Sequence, residues 1–164
     1  MIVLSRLEPN DLHEVDALFD RLVNYSLVVD GVVRRPQAGA EFAASLPPGK
    51  TSAHKHAFII RNGGEPVGLL DIIESYPADR VAFIGLLAIA EDRHGVGLGK
   101  AAYLLAERFA LEELHARTLR LAVVSSNPVA GFWKKMGFSE AGDIRHYEGE
   151  AQTSTVVLME KSLG

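Results

Sequence analysis

Residues 81–100 read Val81-Ala-Phe-Ile-Gly-Leu-Leu-Ala-Ile-Ala90-Glu-Asp-Arg-His-Gly95-Val-Gly-Leu-Gly-Lys100. Val81–Ala90 is uncharged throughout and has the look of a buried strand. After the glycines, Leu98, Ala101, Ala102, Leu105 and Phe109 recur at helical spacing. The order is therefore strand, glycine-rich loop, helix. Alternate glycines at Gly95, Gly97 and Gly99 let the backbone turn tightly and approach a ligand closely. The unpaired N–H groups of the helix start, with the helix dipole behind them, favour an anion. Lys100 adds a mobile positive charge. The chemistry points to a phosphate or pyrophosphate.

Spacing separates the known phosphate loops. A P-loop requires a glycine five residues before the Gly-Lys pair and Ser or Thr after it, whereas His94 and Ala101 stand there. A dinucleotide fingerprint is G-x-G-x-x-G, and this loop is G-x-G-x-G in mid-chain. That spacing disfavours a nucleotide-binding oxidoreductase. A glycine-rich helix entry without a ligand remains the alternative on these residues alone.

The wider stretch Leu87–Lys100 resembles the acetyl-CoA-binding signature of the GNAT superfamily of N-acetyltransferases, roughly L-A-V-x-P-x-x-[RQ]-G-x-G-x-[GA]. A second block, Asn127-Pro-Val-Ala-Gly-Phe-Trp-Lys-Lys-Met-Gly-Phe138, is similar to the later N-x-x-A-x-x-[FL]-Y-x-x-x-G-F of that superfamily. The blocks stand in the right order and separation, and the resemblance covers the chain from about His56 onward. It implies an α/β (α+β) fold with a mixed, mostly antiparallel central sheet flanked by helices. The two middle strands would splay apart to admit the pantetheine arm of acetyl-CoA. The pyrophosphate would sit on His94, Gly95, Val96, Gly97, Leu98, Gly99 and Lys100. Backbone groups of Leu87, Ala88 and Ile89 would pair with the pantetheine amides like an added strand. Asn127 and Trp133, from the second block, would complete the cofactor site.

The composition agrees with one domain over 1–164. The chain is 48% hydrophobic and 23% charged, as soluble globular domains are. A net charge of −4 offers no basic field for nucleic acid. No apolar run reaches membrane-spanning length, and the N-terminus lacks the pattern of a signal peptide, so a cytoplasmic location is expected. With no cysteine, disulfides, thiolate zinc sites and a cysteine nucleophile are excluded.

The remaining elements follow from periodicity and punctuation. Ile2–Leu7 reads as a strand. Asn10 is placed to cap a helix to about Tyr25, with Leu12, Val15, Leu18, Phe19 and Leu22 on one face. Asp30-Gly31 breaks the pattern, and a second helix is expected over Gln37–Leu46, ended by Pro47-Pro48-Gly49. Lys50–Lys55 reads as loop. His56–Arg61 and Pro66–Glu74 flank a hairpin turn at Asn62-Gly63-Gly64-Glu65, and Tyr76-Pro77-Ala78-Asp79 turns into Val81–Ala90. The glycine-loop helix is expected to reach about Ala116. It is followed by a strand Leu119–Val124 and a helix capped at Asn127-Pro128 and stopped by Gly137. Phe138–Ile144 and Thr155–Lys161 read as closing strands.

Three positions depart from the superfamily pattern. His94 replaces Arg or Gln, and imidazole still donates to phosphate. Trp133 replaces a tyrosine that often serves as acid toward the departing thiolate, and indole is no proton source near neutrality. Val81–Ala90 carries no carboxylate, although many relatives place a general base there. Among replacements, Glu74 is the better base, since it ends a strand beside the central one. Asp71, of opposite parity, lies on the other face, where it would bind a cationic amine or hydrogen-bond in the interior. Tyr147, following a closing strand, is the candidate acid. His54 and His56 cluster with Lys55, and His146 adjoins Tyr147; imidazole is the side chain suited to carrying protons near neutrality, so each is a further candidate. His115 suits a helix C-terminus. No histidine pair has zinc spacing, so no metal is expected. Ser125-Ser126 lack a nucleophile elbow.

Two functions stay open. One is an acyltransferase moving acetyl from acetyl-CoA to a primary amine of a small molecule or peptide, directly in a ternary complex. The other is a catalytically silent acyl-CoA-binding regulatory module. The acceptor pocket, roughly Tyr25 to Lys55, carries no decodable motif. Neither nucleic acid nor membrane is an expected partner. Relatives often form homodimers, and the oligomeric state is left open.

Overall fold

The alternation of apolar residues along the strands sorts into two faces, and each face acquires its own helices. The computed structural model describes residues 1–22, 38–124, 129–141, 145–148 and 153–164. Among these, eight strands share one sheet: β1 (Ile2–Arg6), β2 (Lys55–Asn62), β3 (Glu65–Ile73), β4 (Val81–Ile89), β5 (Thr118–Val124), β6 (Ser139–Glu140), β7 (Arg145–Glu148) and β8 (Thr153–Ser162). The order is β1-β2-β3-β4-β5-β8-β6, with β7 also paired to β8. Every pairing is antiparallel except β4 with β5, which is parallel. This is the mixed, mostly antiparallel sheet that the resemblance implies.

On one face lie α3 (Leu98–Glu112) and α4 (Ala130–Lys135). Ala102, Tyr103, Ala106 and Ala110 of α3 pack there with Phe58, Ile60, Leu70, Ile72 and Ile84 of the sheet. The small alanines let the helix approach closely. On the other face lie α1 (Leu12–Asp20) and α2 (Ala38–Ala44). Val15, Leu18, Phe19 and Phe42 meet Ile59 and Leu69. Each fully buried Leu or Ile contributes about 2 kcal/mol relative to exposure.

The central pair of strands forks. The β4–β5 register runs from Val81 opposite Thr118 to Ile84 opposite Leu121 and stops. Beyond it, Leu86–Ile89 continue to pair with β3, and Ala122–Val124 with β8. The β3–β4 register shifts at the same level: Asp71 faces Leu86 and Ile72 faces Ile84, which leaves Gly85 as the extra residue of a bulge. The splay implied by the resemblance is present, with Gly85 at its apex.

Several expectations are corrected. Asn10 does not cap α1. A 3-10 turn over Pro9–Asp11 comes first, and the Glu8 N–H donates to Asp11 Oδ2 at 2.9 Å. The helix ends at Asp20, where Arg21 donates its N–H to Leu18; Tyr25, Asp30-Gly31 and Gln37 lie outside the described residues. The expected Lys50–Lys55 loop is a 3-10 turn at Ser52–His54, and Lys55 already belongs to β2. The helix α3 stops short of Ala116. His115 takes a left-handed φ of 54°, and the Ala116 N–H donates to the Ala110 carbonyl at 2.9 Å. Of Phe138–Ile144 only Ser139–Glu140 is strand among the described residues. Tyr147 does not follow a closing strand but lies within β7, opposite Ser154; Arg-His-Tyr-Glu carries too little apolar alternation to advertise a strand.

Candidate active site

A cleft of about 430 Å³ opens where β4 runs into the glycine loop and α3. Leu87 and Ile89, the alternate residues of β4 beyond the fork, form one wall. The loop and helix start supply His94, Gly95, Gly97, Leu98, Gly99 and Lys100. Arg93 and Phe132 complete the lining. Eight of the residues singled out from the sequence thus meet in one place. Ala88 points to the opposite face, against the α1–α2 cluster, as its parity requires. Val96 is 68% exposed at the loop tip.

The loop geometry shows why glycine is needed. Gly95 and Gly97 have φ of 83° and 79°, in the left-handed region. A Cβ at either position would meet nothing within 4 Å, so the space before them is open. Gly97 precedes α3, and the Ala101 N–H donates to its carbonyl at 3.1 Å. The amides before Ala101 at the helix start are left for a ligand. This cradle, with Lys100 and Arg93 beside it, could hold a diphosphate such as that of acetyl-CoA. His94 braces the loop: its Nε2–H donates to the Ile89 carbonyl at 2.7 Å.

Ion pairs fix the mouth. Arg93 contacts the Glu65 carboxylate. Arg21, at the end of α1, donates to the Pro66 carbonyl at 3.1 Å and to both carboxylate oxygens of Asp92. The Glu91 N–H donates to the Arg21 carbonyl at 3.0 Å.

The two carboxylates of β3 and its end part company as their parity predicts. Glu74 lies toward the α3 face, where the His56 Nε2–H donates to its Oε1 at 3.0 Å, and the His56 ring meets Phe109 edge to face. Two candidates for proton transfer are thereby joined, outside the cleft lining. Asp71 faces α1 and α2 and is buried. Lys55 Nζ donates to its Oδ1 at 2.8 Å. Burial pushes the Asp71 carboxyl up, against the pull of the Lys55 ammonium.

Trp133 is buried in the core, edge to face with Tyr103, Phe132 and Phe138, and its neighbour Phe132 faces the cleft. The Trp133 ring is turned toward the core, between Tyr103 and Phe138, while Phe132 is turned toward the cleft. Tyr103 is wholly buried and outside the cleft lining, and burial raises its phenol above the ordinary value. Tyr147 is placed by its backbone in β7. Asn127, Pro128, Ser125 and Ser126 lie outside the described residues. Sequence reasoning passed over Arg93, which directly precedes His94, and Phe132, which stands next to Trp133 in the second block. Among the described residues no group of His, Asp and Glu is arranged to hold a metal. No described helix is long and apolar enough to cross a membrane.

A family model described as the acetyltransferase (GNAT) family matches residues 31–138. The chain belongs to that family: it is an acetyltransferase, of a family that uses acetyl-CoA. It is similar to an acetyltransferase from Thermus thermophilus, with 27% identity, a TM-score of 0.78, and coverage of 99% of this chain and 97% of that one. A spermidine N-acetyltransferase from Vibrio cholerae, solved with CoA and spermine, shares the fold at 18% identity and a TM-score of 0.70, over 98% of this chain and 95% of that one. The ribosomal-protein-S18-alanine N-acetyltransferase of Escherichia coli shares it at 18% identity and a TM-score of 0.69, over 100% and 95%. No curated protein matches the sequence.

Proposed function

We propose that residues 1–164 form one N-acetyltransferase domain that transfers acetyl from acetyl-CoA to a primary amine of a small molecule or peptide, directly in a ternary complex. The observation that carries this reading is the fork of β4 and β5 with the glycine cradle at its mouth. The cradle of Gly95, Gly97, Leu98, Gly99 and Lys100 would hold the diphosphate. The free edge of β4 from Leu87 to Ile89 would align the pantetheine arm within the fork. Bound there, acetyl-CoA supplies an activated acyl group as a thioester. The protein then has to orient the amine, receive its proton and support the leaving thiolate. Fixed orientation alone supplies much of the rate.

The proton acceptor we assign is Glu74, working with His56 and reached through water, because Glu74 is outside the cleft lining. Tyr147 on β7 is the assigned acid. We place the enzyme in the cytoplasm and leave room for a homodimer; neither nucleic acid nor membrane is a proposed partner.

A panel of amines, screened with thiol detection of released coenzyme A, tests the reading. Release that depends on one class of amine supports it. Calorimetric binding of acetyl-CoA without release from any amine would favour a silent regulatory module.

A further inference from the structure

The fork has a second side, and a cation already occupies it. Asp71 sits opposite Leu86 at the bulge, with its Oδ2 so close to Gly85 that a Cβ there would lie 2.6 Å away. The carboxylate therefore lies over the apex where β4 and β5 part. Its other oxygen takes the Lys55 ammonium at 2.8 Å, and that ammonium lies 5.8 Å from the centre of the Phe42 ring on α2. Both side chains are buried, at 6% and 12% exposure. Burying a charge pair is costly, and apolar residues of similar size often serve stability as well or better. The pair is thus poorly explained by stability alone. The absent side chain at Gly85 lets the carboxylate close over the apex, and that carboxylate with the Phe42 ring forms a cradle for one alkylammonium.

We propose that Asp71 and Phe42 form the subsite that captures the acceptor as its ammonium at the fork, before the amine gives up its proton, and that Lys55 fills it in the free protein as a built-in stand-in. The proposal rests on the acetyltransferase reading for the word acceptor, though not for the ammonium site itself. It names the substrate class as a primary alkylammonium on a slim, unbranched stem, since the Lys55 side chain is itself that shape. The acceptor has to displace Lys55 from Asp71. Anionic amino compounds would be excluded, because their charge would meet the carboxylate.

The test uses the whole chain and a probe independent of turnover. Lys55→Ala leaves Asp71 unpaired beside an empty stem-shaped space, and its melting temperature should fall. Butylammonium chloride should restore it saturably. Butanol, the neutral analogue, should not, and Lys55→Ala/Asp71→Asn should not respond to either. A Lys55→Ala variant without a saturable butylammonium response, or one that responds equally without the carboxylate, overturns the site.

If Lys55→Ala does not fold, Lys55→Met/Asp71→Leu replaces the pair with apolar residues of similar size. The KM for the best amine should then rise at least tenfold, with acetyl-CoA affinity unchanged. An unchanged KM overturns the proposal. Butylammonium binding in a protein that releases no coenzyme A would sustain the ammonium site while refuting the enzyme reading.

Discussion

The glycine cradle allows steric strain and charge to be tested separately at one atom. Gly97 has a φ of 79°, and a Cβ built there meets nothing within 4 Å. Replacement costs conformational strain and no clash. For an ordinary L residue the left-handed region costs ~1–2 kcal/mol, and Asn and Asp tolerate it better than most. Gly97→Asn and Gly97→Asp therefore share shape and strain and differ by one charge. A carboxylate about 5 Å from a phosphate charge, at an effective dielectric of about 20, is repelled by roughly 3 kcal/mol. Screening at physiological salt leaves about 2 kcal/mol. Gly97→Asp should then bind acetyl-CoA roughly 30-fold more weakly than Gly97→Asn. Calorimetric titration of both variants measures the gap, which should narrow as salt is raised. Equal affinities at low salt would show that the anionic part of the ligand does not face this amide.

Glu74→Gln should lower the maximal rate ~10²-fold or more with acetyl-CoA affinity unchanged, and the acidic limb of the pH–rate profile should disappear. A wild-type rate and profile would remove Glu74 and leave bulk water, His54, His56 or His146 as the better candidates. Tyr147→Phe should slow turnover by ~10² if the phenol protonates the leaving thiolate; retention of the rate in steady-state assay would dismiss it. Gly68→Ala should destabilise by about 1–3 kcal/mol in urea titration, because its Cβ would lie 2.5 Å from the Ala88 carbonyl and force β3 from β4; unchanged stability would mean that the strands yield freely. Hydrogen bonding from Arg61 holds the Glu14 carboxyl below the ordinary carboxylate range. Its contribution is present above the unfolded-state pKa and is lost as pH falls through the folded-state value. Glu14→Gln should thus cost ~1 kcal/mol at neutral pH, and its melting curve should converge on wild type in acid.

Regular features with strong local chemistry were legible in the sequence. The hairpin at Asn62–Glu65, the strand Val81–Ile89 and the helix from Leu98 each follow from turn residues and periodicity, and the cradle follows from its glycines. The opposite faces of Asp71 and Glu74 were legible too, since strand parity alone decides them. What escaped depends on contacts between distant segments. The extent of β7 is set by its pairing with β8, not by the residues Arg145–Glu148 themselves. The inward turn of Trp133 depends on the room left by Tyr103 and Phe138. Lys55 read as loop because one lysine before an apolar run gives no sign of the buried carboxylate waiting on the next strand.

The Arg21 clamp makes distant parts of the molecule answer to one another. Through one side chain and one carbonyl, the end of a helix on one face is fastened to the segment Glu91–Asp92, which leads into the cradle on the other. A tilt of α1 would pull on the approach to the glycine cradle through these bonds. The two substrates would then meet in a frame that transmits load, where grip on one side sets tension on the other. Residues near Asp20 and Arg21 that look like ordinary surface would then be, mechanically, part of the seat proposed for the cofactor.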